Sequence, residues 1–325
     1  MKLHLAAVLA ALFALSGLVF SAQAETLPPL DPQATPLVLG TATQGGGFQL
    51  FGQILTDVIN AKDAALKVES IATRGSRQNL ALLERAEIDI GLVEGNAARQ
   101  ALDGVGRSAA DLKVLAVMYP NPGMFVVRAS SAYRTIDDLK GRPIAFGTRA
   151  SGLRILVNDV LSGLGLSPER DFQQIILEKA ADGPEMVLSG EADALWGAGI
   201  GWPGFVKISE SQDGGRFIAP SAEEVQRILS RHPHLRPMSV PAGSYRGQDA
   251  RIDSVGLWSL VLVRTDMPDT VAYRLAAAIH AGEPATAQRL AQGRFTTAEN
   301  TVREVPHSRL HPGAMRYYRA AGILR

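Results

Sequence analysis

Three loops in this chain share one design. Gly45-Gly46-Gly47, Gly75-Ser76 and Ala150-Ser151-Gly152 each follow an apolar run and open a stretch whose apolar residues recur at helical spacing. A helix N-terminus exposes backbone N–H groups and the positive end of the helix dipole, so it attracts a carboxylate or a phosphate. Serine there caps the helix, and glycine lets a ligand approach the backbone. Taken singly, Ser76 and Ser151 read as ordinary N-caps. Three such loops, shared between two halves of one chain, point instead to an anion-binding cleft. The candidate contacts are Thr43, Gly46, Gly47 and Phe48 in the first loop, Thr73, Ser76 and Asn79 in the second, and Ser151 and Gly152 in the third.

Charged and aromatic neighbours extend the set. Arg149 directly precedes the third helix opening, where a guanidinium can grip a carboxylate with two parallel hydrogen bonds. Its plainer reading is a solvated loop arginine. Glu94 stands at the carboxyl end of the apolar run 88–93. There it would select a cationic group or exclude an over-anionic ligand, unless it pairs with Arg74, Arg77 or Arg149. Phe48, Trp196 and Trp202 are expected to wall the site, although buried aromatics more often serve the core.

Catalytic equipment is missing from the pattern. The chain has no cysteine, no G-x-S-x-G elbow and no phosphate loop ending in Gly-Lys. The loop 147–152 lacks the middle glycine of a dinucleotide fingerprint. His232-Pro233-His234 is the one tight histidine pair of the sequence, and no third ligand lies near it along the chain. No catalytic residue, metal or cofactor is therefore expected.

The elements that must position these loops follow a strand–helix rhythm. Leu37-Val38-Leu39 precedes the first loop, and Phe48, Phe51, Ile54, Leu55, Val58 and Ile59 mark one helix face after it. The same rhythm restarts near Arg142, with a strand at 143–146 and a helix face at Leu153, Leu156, Val157, Val160 and Leu161. The segment 83–90 is echoed in layout by 188–194, which suggests one supersecondary unit used twice. Two apolar strands, 124–128 and 258–264, are expected to cross between the halves. The fold class implied is α/β, a two-lobed binding protein in which each lobe is a mixed sheet flanked by helices. Lobe 1 is assigned to 37–126 and 262–325, and lobe 2 to 127–261.

Composition fixes the compartment. Residues 1–24 read as a secretory signal peptide: Lys2, an apolar run, then Ala22-Gln23-Ala24 as the cleavage site. The mature chain would begin at Glu25 with a proline-rich arm at 25–36. Without cysteine it has neither a disulfide framework nor a lipid anchor, so a soluble periplasmic protein is expected. The balance of 33 basic and 32 acidic residues argues against a nucleic-acid partner. A monomer is expected.

These residues resemble a known family, the TAXI-type solute receptors of TRAP transporters, from Leu37 to the C-terminus. The resemblance rests on Gly40-Thr41 through Gly45-Gly46-Gly47-Phe48 to Gly52, on Thr73, Gly75-Ser76 and Asn79-Leu80, and on Glu87, Asp89 and Gly91. It continues in Asp138-Leu139-Lys140-Gly141, Ser151-Gly152, Pro241-Ala242-Gly243-Ser244-Tyr245, and Leu310-His311-Pro312-Gly313-Ala314 with Arg316-Tyr317-Tyr318. The resemblance implies a receptor without enzymatic activity. It would deliver a small organic acid or amino acid, glutamate-like or a dicarboxylate, to a TRAP permease in the membrane. The chain departs from the family pattern at Ala42, Thr43, Gln49, Glu94, Arg149 and Leu153, all beside the expected ligand, so the solute itself stays open. Two rival readings remain: a receptor feeding a membrane signalling protein, and an exported enzyme.

Overall fold

The structure is a computed structural model that describes residues 36–325. The expected signal peptide and nearly all of the N-terminal arm lie outside the described residues. In chain order the first elements are β1 (Leu37–Gly40), α1 (Gly47–Lys62), β2 (Val68–Ile71), α2 (Ser76–Glu84), β3 (Ile90–Val93), α3 (Gly95–Asp103) and β4 (Leu112–Pro120). There follow β5 (Gly123–Arg128), β6 (Pro143–Thr148), α4 (Leu153–Gly163), α5 (Pro168–Asp171), β7 (Gln173–Leu177), α6 (Asp182–Ser189), β8 (Ala194–Ala198), α7 (Pro203–Ser209) and β9 (Gly215–Ile218). The rest comprises α8 (Ala222–Arg231), β10 (Arg236–Val240), β11 (Ile252–Gly256), β12 (Trp258–Arg264), α9 (Asp269–Ala281), α10 (Glu283–Arg289), α11 (Ala298–Glu304) and α12 (Pro312–Ala320).

Two five-stranded sheets carry the two lobes, in the orders β2-β1-β3-β12-β4 and β7-β6-β8-β5-β9. The two orders are equivalent position by position. In each, three strands run parallel and the fourth, β12 or β5, is antiparallel to both neighbours. The echoed segments fall on matching units, α2–β3 and α6–β8, both leading to the third strand. Asp89 N–H donates to the Val38 carbonyl, and Asp193 N–H donates to the Pro143 carbonyl, each at the start of the adjoining strand. β3 and β8 are buried along their whole length, as parallel strands covered by helices on both faces must be. One apolar cluster surrounds the first sheet, and two clusters fill the faces of the second.

The chain passes between the sheets at Asn121 and Pro122, and again at Leu257. Each strand expected to cross, 124–128 and 258–264, starts just after a passage and lies within a single sheet. Asn121 ties the passages together. Its N–H and its Nδ2 both donate to the Leu257 carbonyl at 3.1 Å, and Nδ2 also donates to Ser259 Oγ at 2.7 Å. A Cβ on Gly256 would sit 1.9 Å from the Asn121 carbonyl oxygen, so only glycine lets the strands lie this close. No described helix is long and apolar enough to cross a membrane.

Candidate functional site

The carboxyl ends of β1, β2 and β3 face those of β6, β7 and β8 across a cleft, the place where open α/β sheets take ligands. The first lobe lines it with Thr43, Gly46, Gly47, Phe48, Arg74, Gly75, Ser76, Glu94, Tyr119 and Asn121. The second contributes Gly147, Thr148, Ser151, Gly152, Leu153, Ala180, Trp196 and Trp202. The enclosed room is about 70 Å³, space for on the order of five water molecules and hence for a compact ligand.

The lobes touch directly around this room. Arg77 N–H donates to the Ala150 carbonyl at 3.2 Å, and Ala181 N–H to the Gln44 carbonyl at 3.1 Å. Ala180 N–H donates to Thr43 Oγ1 at 3.2 Å. Gly152 presses on the other lobe: a Cβ there would lie 2.5 Å from Glu94 Cβ and 2.9 Å from Ser76 Oγ. Its backbone is ordinary right-handed helix, so the glycine serves space and not conformation. Gly47 packs in the same way under Trp202, whose Cδ1 would be 2.8 Å from an added Cβ.

Two of the expected contacts belong to the scaffold instead. Asn79 is fully buried and outside the cleft lining. Its Nδ2 donates to the carbonyls of Gly40, Thr41 and Leu92 at 3.1, 2.8 and 2.8 Å. Its Oδ1 accepts from Thr73 Oγ1 at 2.7 Å, and Thr73 Oγ1 accepts the N–H of Gly75 at 3.2 Å. These bonds tie the ends of β1 and β3 to α2, which leaves neither side chain for a ligand. The sequence shows a polar residue beside a loop; only the fold shows that three strand-end carbonyls converge on it.

Ser76 and Glu94 do line the cleft, joined to each other. Glu94 N–H donates to Ser76 Oγ at 3.0 Å. The Glu94 carboxylate caps its own helix, accepting from Asn96 N–H at 3.0 Å, from Ala97 N–H at 3.3 Å, and from Asn96 Nδ2 at 3.0 Å. None of the arginines that could have neutralised it is its partner. Burial pushes the carboxyl up to about 7, against the pull of the three donors. An acid on the border of ionisation thus faces the ligand space.

Arg149 is corrected. It is exposed, it is absent from the lining, and no hydrogen bond or ion pair holds it among the described residues. The arginine at the cleft is Arg74, on the other lobe, which lines the mouth without an acidic partner among the described residues. Ser151 lines the cleft one residue before the Gly152 N-cap of α4, its Oγ accepting Leu153 N–H at 3.2 Å. Trp196 is a wall whose Nε1 donates to the Leu153 carbonyl at 3.0 Å and whose ring meets Phe125 edge-on at 4.8 Å. Tyr119, Asn121, Thr148 and Ala180 were not foreseen. Thr148 ends the strand before a predicted loop, a signal that was available. Tyr119 and Asn121 arrive from the passage between lobes, and nothing in their local pattern marks them.

The absence of a third ligand near His232 and His234 is also corrected. Helix α4 brings Asp159 beside both, with ligand atoms of all three residues within 4.8 Å of one another.

Comparison with known proteins agrees with this architecture. The sequence profile of a family described as NMT1-like matches residues 39–322. Among solved structures, the periplasmic aliphatic sulphonate binding protein SsuA of Escherichia coli is 19% identical, with 88% of this chain and 84% of that one covered and a TM-score of 0.50. A protein of Bordetella bronchiseptica is 14% identical, with 91% of each chain covered and a TM-score of 0.56. A putative L-cystine ABC transporter protein of Listeria monocytogenes is 12% identical, with 84% and 100% covered and a TM-score of 0.52. At these identities the likeness is one of fold: two αβ lobes of the periplasmic binding-protein kind.

Proposed function

The chain belongs to the NMT1-like family, and on that premise we propose that it is an exported solute receptor that closes its lobes on a small anionic metabolite or amino acid. The observation that carries this reading is the cleft itself. Helix openings from both lobes border one small room, so a ligand there bonds both lobes and holds them together. The N–H groups of Gly47 and Phe48 on α1, Ser76 on α2 and Gly152 before α4, which no bond among the described residues engages, would receive a carboxylate, with Arg74 at the mouth adding charge. Glu94 would select. Ionised, it favours a ligand that also carries an ammonium group; protonated, it tolerates a second anion.

The receptor would hand its solute to a membrane permease. The TAXI resemblance favours a TRAP-type permease. The Listeria protein, named for ABC transport, supports an ABC permease as the second reading. The test is native mass spectrometry of untagged protein from a periplasmic extract, followed by calorimetry with L-glutamate, succinate and an aliphatic sulfonate. A bound small anion that raises the melting temperature and compacts the protein in small-angle scattering is expected. A cleft that binds none of them, or that turns the solute over, counts against a receptor.

A further inference from the structure

Away from the cleft, lobe 2 brings together a second set of chemically capable side chains. Asp159 stands on α4, and His232 and His234 lie in the turn that leaves α8, all three half-buried. Asp159 Oδ2 is 3.0 Å from His234 Nε2, and Asp159 Oδ1 is 3.7 Å from His232 Nδ1. Tetrahedral zinc with Zn–N and Zn–O bonds of about 2.0–2.2 Å holds its ligand atoms roughly 3.3 Å apart. The two separations, each to a different carboxylate oxygen, bracket that value, and with one atom from each residue the three ligand atoms lie within 4.8 Å of one another, so the side chains must rotate inward to seat an ion.

The surroundings favour this use. His232 Nε2 is 2.9 Å from Ser162 Oγ. With that nitrogen donating to the hydroxyl, the lone pair of Nδ1 is directed toward Asp159, the outer bond by which metal-binding histidines are commonly oriented. The backbone is held too. His232 N–H donates to the Ile228 carbonyl at 2.8 Å and Leu235 N–H to the His232 carbonyl at 3.0 Å, with Pro233 between the two rings. The rings stand 5.8 Å apart at 87°, so the nitrogens converge while the ring faces do not stack. Arg231 Nη1 is turned to the carbonyls of Ser162 and Gly163. Its charge and that of Arg99 on α3 act on His232 and oppose a cation, which limits the affinity.

We propose that Asp159, His232 and His234 form a binding site for a divalent transition-metal ion of the zinc class. Two imidazoles and one carboxylate suit a borderline ion and not calcium or magnesium, which take all-oxygen shells. Three protein ligands leave a fourth position for water or for a group from a partner. The ion would clamp the middle of α4 to the turn after α8, and so stiffen the helix that Ser151 and Gly152 open at the cleft.

The experiment uses the untagged mature protein, stripped with a chelator and titrated with zinc chloride by calorimetry. One zinc per chain at roughly micromolar affinity is expected, with a higher melting temperature when zinc is present. His234→Ala and Asp159→Asn should each weaken binding by about tenfold or more and abolish the thermal shift. Circular dichroism in chelator reports whether each variant folds, and His232→Asn serves if His234→Ala does not. Absence of zinc binding, or stoichiometric binding unchanged in two folded variants, overturns the site.

Discussion

The two walls of the cleft are built from equivalent strands and work differently. The first-lobe wall is a hydrogen-bonded frame. Thr73, Asn79, Ser76 and Glu94 bond to backbone groups and to one another, and their donors and acceptors are largely engaged. The second-lobe wall is glycine and indole. Gly147 and Gly152 offer bare backbone, and the N–H of Trp196 is engaged with the Leu153 carbonyl. One wall supplies rigidity and charge, and the other supplies close approach. Polar side chains beside a cleft can thus be scaffold, while glycine and aromatic side chains shape the space between the lobes.

Substitutions at the two walls should separate stability from binding. The largest effect is expected at Asn79→Ala. It removes the amide donor of three strand-end carbonyls, of which that of Thr41 still accepts from the Thr73 hydroxyl at 3.0 Å, and each buried group left unsatisfied costs about 1–3 kcal/mol. With partial relaxation the loss is about 3–5 kcal/mol in urea unfolding, with cleft affinity of the folded protein little changed. A stable variant that has lost its ligand would return Asn79 to the site and collapse the contrast.

Glu94 tests whether the frame carries a titrating charge. Its carboxyl stands at about 7 when folded, against 4.5 ordinarily. Folding therefore takes up a proton between those values. The stabilisation is fully present below pH 4.5 and is lost as pH rises through 7, amounting to about 3 kcal/mol over that window. Glu94→Gln should remove this share of the slope, which urea unfolding at pH 4.5 and pH 8 measures in both proteins. Equal slopes would show that Glu94 stays ionised in the fold. The same titration should make succinate bind more tightly at pH 6 than at pH 8, and L-glutamate less so.

Gly152→Ala tests the opposite wall. Alanine suits the helical backbone there, so stability should change by less than about 1 kcal/mol. The added Cβ meets Glu94 and Ser76 across the cleft, so closure and ligand affinity should fall by roughly tenfold to a hundredfold, or about 1.4–2.7 kcal/mol. Calorimetry decides, and wild-type affinity would mean that the lobes do not close on this contact. The smallest effect is expected at Arg149→Ala, which should alter affinity by less than about twofold, as an exposed side chain without partners would. Arg74→Ala in the same assay should have the larger effect.

Local pattern was enough for the alternation of strand and helix, the three helix-opening loops and the restart of the rhythm near Arg142. Those features depend on residues close in sequence, apolar periodicity and glycine at a turn; the serine caps expected at Ser76 and Ser151 are replaced by glycine, with Gly75 and Gly152 at the N-cap positions. Thr43, Gly46, Gly47, Phe48, Ser76, Glu94, Ser151 and Gly152 could be placed near the cleft for the same reason, since each lies in a loop or helix opening that follows a strand; Trp196 lines it from the middle of β8. What a polar side chain bonds to is another matter, because its partners come from distant parts of the chain. Asn79 reaches carbonyls as far away as Gly40, Glu94 meets Gly152 only because the lobes close, and Tyr119 and Asn121 enter the site through the passage between sheets. His232-Pro233-His234 stood in the sequence without a third ligand, and α4 packing against α8 brought Asp159 to it from 75 residues away. Periodicity depends on neighbours and survives in a string of letters; hydrogen-bond partnership depends on where the chain returns, which only the packed structure decides.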